Sequence, residues 1–185
     1  MSTKTRNKLE SRFGGVTLEG QPHALSALFV VVLRVVMGGM ILFAGLGKLS
    51  EWPFDASGYL VHGVDSASPV SGLYAAMAGN EAVLATINVV IPATQLLIGI
   101  ALITGAVVRL AAFGGALQMT AFYLGGWTGD WLALFDSTLI YGVVFLTLAA
   151  LAAGRIAGLD RYIERVHVGG DPLVERFPKL RYLLG

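Results

Sequence analysis

The sequence predicts an all-α integral membrane protein: an up-down four-helix transmembrane bundle with cytoplasmic N- and C-termini. Three observations carry that prediction. Of 185 residues, 55% are hydrophobic and only 14% charged, with a mean hydropathy of +0.70, against roughly 25% charged in a water-soluble domain. Four apolar stretches are each long enough to cross a hydrocarbon core of about 30 Å. Eleven of the thirteen Lys and Arg residues fall on one side of the resulting topology. The lipid bilayer, as a cell (plasma) membrane, is therefore the first partner.

Residues 1–23 form a cytoplasmic tail holding Lys4, Arg6, Lys8 and Arg12. The first span covers about residues 24–49. It exceeds the roughly 7–15-residue apolar core of a signal sequence and lacks a small-residue cleavage site, so it is read as a retained helix. An outer loop, about 50–80, contains the apolar run beginning at Tyr59 and the segment SPVSGLYAAMAG. A loop that long is expected to pack as short helices over the bundle mouth. The remaining spans cover about 82–104, 106–125 and 131–153, which makes 24–154 the transmembrane domain. Residues 155–185 form a cytoplasmic tail. There Leu159, Tyr162, Ile163 and Val166 recur at helical spacing between charged residues, the pattern of an amphipathic helix lying on the membrane surface.

Orientation follows from the basic residues, which favour the cytoplasmic side. The N-terminal tail holds four, the turn between the second and third spans holds Arg109, and the C-terminal tail holds six. The other face carries Glu51, Asp55, Asp65, Glu81, Asp130 and Asp136, with Trp52, Tyr123, Trp127 and Trp131 at the outer helix ends.

The same inventory excludes much chemistry. With no cysteine there is no disulfide, iron–sulfur cluster or nucleophilic thiol. His23, His62 and His167 all lie outside the spans, so no haem is expected inside the bilayer. Zinc signatures, phosphate-binding loops and nucleophile elbows are missing, and neither a metal nor a nucleic-acid partner is expected. Redox chemistry would need a diffusible carrier or a second subunit.

The polar residues inside the spans are the handle on function. A guanidinium buried as deep as that of Arg34 costs about 2.5–3.5 kcal/mol on insertion scales. Arg34, Gly38, Ile41, Gly45 and Lys48 share one helix face, and Arg34 and Lys48 lie ~21 Å apart along the axis. The two glycines would admit another backbone or a flat ligand. In the second span, Glu81, Asn88 and Gln95 also share a face. An antiparallel pairing would set Lys48 beside Glu81 at the outer side, Arg34 beside Gln95 at the inner side, and Asn88 against the glycines. Lys48, Glu81 and Asp136 would then line a mouth, with Arg34, Gln95 and Gln118 as its floor. Pro92 is expected to kink the second span beside Gln95. Two readings stand: the polar groups satisfy one another and fix register, or Arg34 and Lys48 serve a quinone carbonyl or an anion arriving from outside.

With those residues in view, the chain resembles the DoxX family of small four-helix membrane proteins, which includes the DoxD-type small subunit of thiosulfate:quinone oxidoreductase. The matching pieces are LRVVMGGMILFAGLGKL, QLLIGIALITGAVVRLAAFGGAL and AAGRIAGLDRYIE, spread over about residues 25–166. WPFDASGYL and SPVSGLY in the outer loop are similar to versions from halophilic archaea. The resemblance implies a membrane subunit of a quinone-linked oxidoreductase, passing electrons from thiosulfate to a diffusible quinone. It implies Arg34 and Lys48 as catalytic residues that polarise the quinone or hold an anionic substrate. Gly38, Gly45, Asn88, Gln95, Gln118 and Asp136 would shape the binding site. Gln95 stands where many relatives carry a glutamate, which removes a buried anion opposite Arg34. A second redox subunit or a homo-oligomer is the expected partner. The alternative is a non-enzymatic scaffold or assembly factor docking soluble redox enzymes on its basic tail. A small-solute transporter ranks lower, since four helices without a repeat leave little room for alternating access.

Overall fold

The structure, a computed structural model, describes residues 9–13, 16–20, 24–168 and 171–184, so Lys4, Arg6 and Lys8 lie outside the described residues. Four long helices dominate it: α1 (Ala24–Ser50), α3 (Glu81–Thr104), α4 (Val108–Gly125) and α5 (Ser137–Ala150). A short α2 (Ser71–Ala78) and a helical turn at Tyr59–Gly63 fill the segment after α1, as its apolar runs predict. Two small antiparallel hairpins lie in the flanking segments, β1 (Leu9–Phe13) with β2 (Val16–Gly20), and β3 (His167–Val168) with β4 (Asp171–Pro172). The sequence pattern predicts neither hairpin.

Three stretches are long and apolar enough to cross a membrane: Ala24–Ser50, Glu81–Thr104 and Trp131–Ala150. Large apolar side chains cover their outsides; Phe29, Phe43, Leu97 and Phe135 are all more than 60% exposed. So continuous an apolar coat is unusual on a water-facing surface and is compatible with a membrane protein. The interior is Met37, Ile41, Ile98, Leu102, Val108, Ala112, Phe145 and Leu148.

Local chemistry sets the helix ends. Asn80 Oδ1 accepts hydrogen bonds from the N–H groups of Ala82 and Val83 and opens α3. Gly105, at φ 74°, closes it in the left-handed conformation that glycine adopts without a Cβ clash. This turn occupies residues 105–107, so the third helix starts at Val108 rather than near 106. The fourth begins at Ser137 instead of 131. Residues Trp131–Ala133 form a separate 3₁₀ turn, and Asp136 Oδ1 accepts from Leu139 N–H at 2.8 Å as the true cap. It ends at Ala150 rather than 153, because Ala152 takes a positive φ of 50° and turns the chain.

α1 packs along α3, α3 on α4 and α4 on α5, while α1 touches α5 more lightly. Glycines set the α1–α3 register. A Cβ on Gly38 would come within 2.9 Å of Leu102 Cβ, one on Gly99 within 2.8 Å of Leu42 backbone atoms, and one on Gly45 within 3.1 Å of Gln95 Cβ. Close approach at small residues is the main source of helix association where no hydrophobic effect operates between spans. The register expected from polar complementarity is therefore corrected. Gln95 lies against Gly45, eleven residues beyond Arg34 and ~16 Å further along the axis.

The tail departs from expectation too. Instead of one amphipathic helix it forms a 3₁₀ turn at Ala153–Arg155, a single α-helical turn α6 (Asp160–Ile163), the β3–β4 hairpin, α7 (Leu173–Arg176) and a final 3₁₀ turn at Pro178–Tyr182. Contacts of residues 153–160 with the helices hold it in this shape. Leu159, Tyr162 and Val166 still present an exposed apolar edge.

Candidate functional site

Two polar centres lie at opposite ends of α1. At the inner one Arg34 is 2% exposed, and its guanidinium is held by peptide carbonyls of the tail. Nη1 donates to Ala153 O at 2.6 Å and Ile156 O at 3.0 Å, and Nη2 donates to Ala157 O at 3.2 Å. Ala152 and Ala157, both at φ 50°, bend the tail so that these carbonyls converge. Gly105 and Gly158 close over the guanidinium, where a Cβ on either would sit 2.8 or 2.7 Å from Nη1. Asp160 lies beside this cradle and interacts with Arg34 electrostatically. Its fully buried carboxylate also accepts from Val107 N–H at 2.6 Å and Val108 N–H at 3.0 Å, capping α4 where Val107 offers no side-chain cap. Arg34 Nε is buried with no hydrogen-bond partner among the described residues.

The expected Arg34–Gln95 pair is thus replaced by an arginine–carbonyl lock. Helix geometry alone provides the reason: at the observed register, the level of Arg34 on α3 is the Gly105 turn, not Gln95. Sequence reasoning missed Asp160. The signal available was the short GLD at residues 158–160, where glycine permits close approach and an acid follows it.

At the outer end of α1, a cavity of about 450 Å³ opens between α1, α2, α3, α4 and the residue 54–60 segment. Its wall is almost wholly apolar; the side chains that matter are Lys48, Phe54, Tyr59, Tyr74, Ile91 and Phe122. Lys48 Nζ reaches Ala44 O at 3.4 Å and stands 5.7 Å from the centre of the Phe54 ring, a cation–π arrangement. The expected partner Glu81 is not among its recorded contacts. With the shifted register Lys48 shares the cavity with Ile87 and Ile91, and Glu81 lies further up α3. Tyr59 packs edge-on against Phe122 with ring centres 5.6 Å apart, and Tyr74 donates to Ala121 O at 2.9 Å. Burial holds both phenols above the ordinary tyrosine pKa, so both remain hydroxyl groups through neutral pH.

The remaining predicted residues divide. Asn88 Oδ1 accepts from Ala56 N–H at 2.8 Å, so it ties down the outer segment and does not face the glycines. Gln118 Nε2 donates to Thr94 Oγ1 at 2.6 Å in a groove between α3 and α4 next to the cavity, while its Oε1 is buried without a partner among the described residues. Gln95, 2% exposed, follows Ile91 by one turn, and its Oε1 is likewise unpartnered. Asp136 is spent on capping α5 and lines no part of the cavity. Gly38 and Gly45 are filled by α3 and leave no space for a ligand. Phe54, Tyr59 and Tyr74 were not singled out from the sequence, although aromatic residues in an apolar outer segment were a visible sign. Among the described residues, no group of three His, Asp or Glu could hold a metal.

The arrangement suits binding of an apolar, partly polar-edged molecule near one face of the helices. Compared with protein-family models and with solved structures, the chain matches none of either.

Proposed function

We propose that this chain is a multi-pass plasma-membrane protein in which α1, α3, α4 and α5 form a four-helix transmembrane bundle with cytoplasmic termini. On this reading it is a DoxX-type membrane subunit of a quinone-linked oxidoreductase that binds a quinone at the outer cavity. The observation that carries it is the single cation at the cavity, Lys48, set against an otherwise apolar and aromatic wall of about 450 Å³. Pockets for small organic ligands are typically ~300–1,000 Å³, mostly apolar, with a few placed polar groups. The residues present fit a quinone ring. Phe54, Tyr59 and Phe122 supply flat surfaces, Lys48 Nζ a charged donor for a carbonyl oxygen, and Tyr59 a hydroxyl. A bound quinone would supply two-electron acceptor chemistry, and thiosulfate or another reduced sulfur compound is the donor that the family likeness suggests. Lys48 is the residue that orients the ring; Arg34, enclosed by the tail, acts on structure.

The test is equilibrium binding of a short-chain benzoquinone to the purified, folded protein, followed by quinone reduction in membranes containing it, with thiosulfate or sulfite as donor. Lys48→Met is expected to weaken binding about tenfold, the scale of one charge-assisted hydrogen bond, while Lys48→Arg retains most of it. Wild-type protein that is folded but binds no quinone would sink the reading.

A second reading, a non-enzymatic scaffold, is favoured by one observation: Arg34, Asn88, Asp136 and Asp160 are all engaged with backbone groups. It predicts soluble partners that are lost from pull-downs when residues 161–185 are removed.

A further inference from the structure

We infer that the ligand of the outer cavity is a ring bearing a long apolar chain, and that the chain lies in the groove between α3 and α4. This rests on the cavity reading above and adds to it the place where the chain of such a ligand lies.

The cavity does not end at Ile91. Ile91, Ala121 and Phe122 line both it and a second space of about 330 Å³. Thr94, Ile98 and Gly114 in turn line both that space and a third, about 510 Å³, which reaches Thr104 and Val107. Sharing these walls, the three spaces adjoin in a row that forms a trough along α3 from Ile87 to Thr104, ~25 Å at 1.5 Å per residue. It exists because α3 and α4 pack far less closely than α1 and α3 or α4 and α5. Small residues make its bed: Gly114, Ala111, Ala101 and Ala121. At Gly114 the Ile98 side chain settles onto the bed, its Cδ1 3.3 Å and its Cγ1 3.6 Å from where a Cβ would stand, so a larger residue there would push Ile98 up into the groove.

Chemistry grades along the trough. Its mouth has the Lys48 ammonium and two phenols. Its waist has two polar side chains, Thr94 and Gln118, joined by the Gln118 Nε2 to Thr94 Oγ1 hydrogen bond, with Gln118 Oε1 unpartnered among the described residues. Beyond Gln118 the walls are aliphatic, ending in Leu97, Ile100 and Leu110, each more than half exposed on the apolar exterior. A polar head at one end, a long aliphatic bed and a side open to the lipid describe a head-and-chain ligand entering from the bilayer.

The experiment uses the full chain in phosphatidylcholine nanodiscs, with a benzoquinone carrying a ten-carbon tail that ends in a diazirine. Photolysis is expected to cross-link Leu97, Ile98 and Leu117. Unlabelled tailed quinone should compete, and a tenfold excess of phospholipid should not. Gly114→Phe is expected to lower tailed-quinone affinity at least fivefold and to leave affinity for a tailless benzoquinone within twofold. Gly114→Val, a smaller filling, should give the same pattern in milder form. Cross-links spread over the outer faces of α1 and α5, or competed equally by phospholipid, overturn the groove assignment, and intact tailless binding would then leave the cavity reading standing. Failure of the tailless ring to bind overturns both.

Discussion

Arg34 shows how a buried cation is held when its direct hydrogen bonds go to peptide carbonyls and its counter-charge, Asp160, stands beside them. Three carbonyls, each with its partial negative charge, accept its hydrogen bonds, and guanidinium geometry allows one side chain to meet all three. Arg34→Ala is expected to cost about 1–3 kcal/mol, the usual range for leaving buried polar groups unpaired, partly offset by removing a charge from an apolar site. Arg34→Lys should cost nearly as much, because a single ammonium cannot span the fork. Hydrogen exchange should then rise at residues 153–158 and not around Lys48. Retained protection there in Arg34→Lys would mean that charge alone holds the tail. Asp160→Ala removes the cap of α4 and should cost about 1–2 kcal/mol, read as a lower midpoint in a denaturation series. The sequence made Arg34 conspicuous, since its cost in a membrane is plain from its position. Its partners were illegible, because backbone carbonyls have no sequence signature and the bends at Ala152 and Ala157 use residues that seldom adopt positive φ.

At the scale of elements, composition told most of the story. The four apolar stretches became α1, α3, α4 and α5, and the apolar outer segment became α2 with the turn at Tyr59–Gly63. What failed was register. Glu81, Asn88 and Gln95 were aligned on α1 by charge and polarity, whereas Gly38, Gly45 and Gly99 fixed it by steric fit. Polar pairs near an outer face contribute little, and close packing contributes along the whole contact. Gly99→Leu is therefore expected to push α1 from α3 and to destabilise by at least about 1–3 kcal/mol, the range for overpacking. Gly39→Leu, at an open position on the partner helix α1, should be nearly neutral. The pair can be compared by melting in a common detergent; equal effects would remove the glycines as the register device. The shift in register also moved the candidate site. Lys48 kept its place in it, while Arg34, Asn88 and Asp136 left it.

For the whole molecule, the proposed topology places residues 71–78 outside and the 155–166 segment in the cytoplasm. The chain has no cysteine, so single-cysteine variants report without background. Ser71→Cys should react in intact cells with a membrane-impermeant maleimide, and Arg161→Cys only after the membrane is opened; the reverse pattern would invert the topology. The arginine lock has a further consequence in time. Its bonds join residues 119 to 123 positions apart. Ribosomes add roughly 5–20 residues per second, so α1 emerges on the order of ten seconds before its carbonyl partners exist. Throughout that interval the nascent helix carries a charge that the finished protein answers from its far end. A chain terminated before Ala153 would never receive that answer, and its Arg34 guanidinium would stay without these three acceptors.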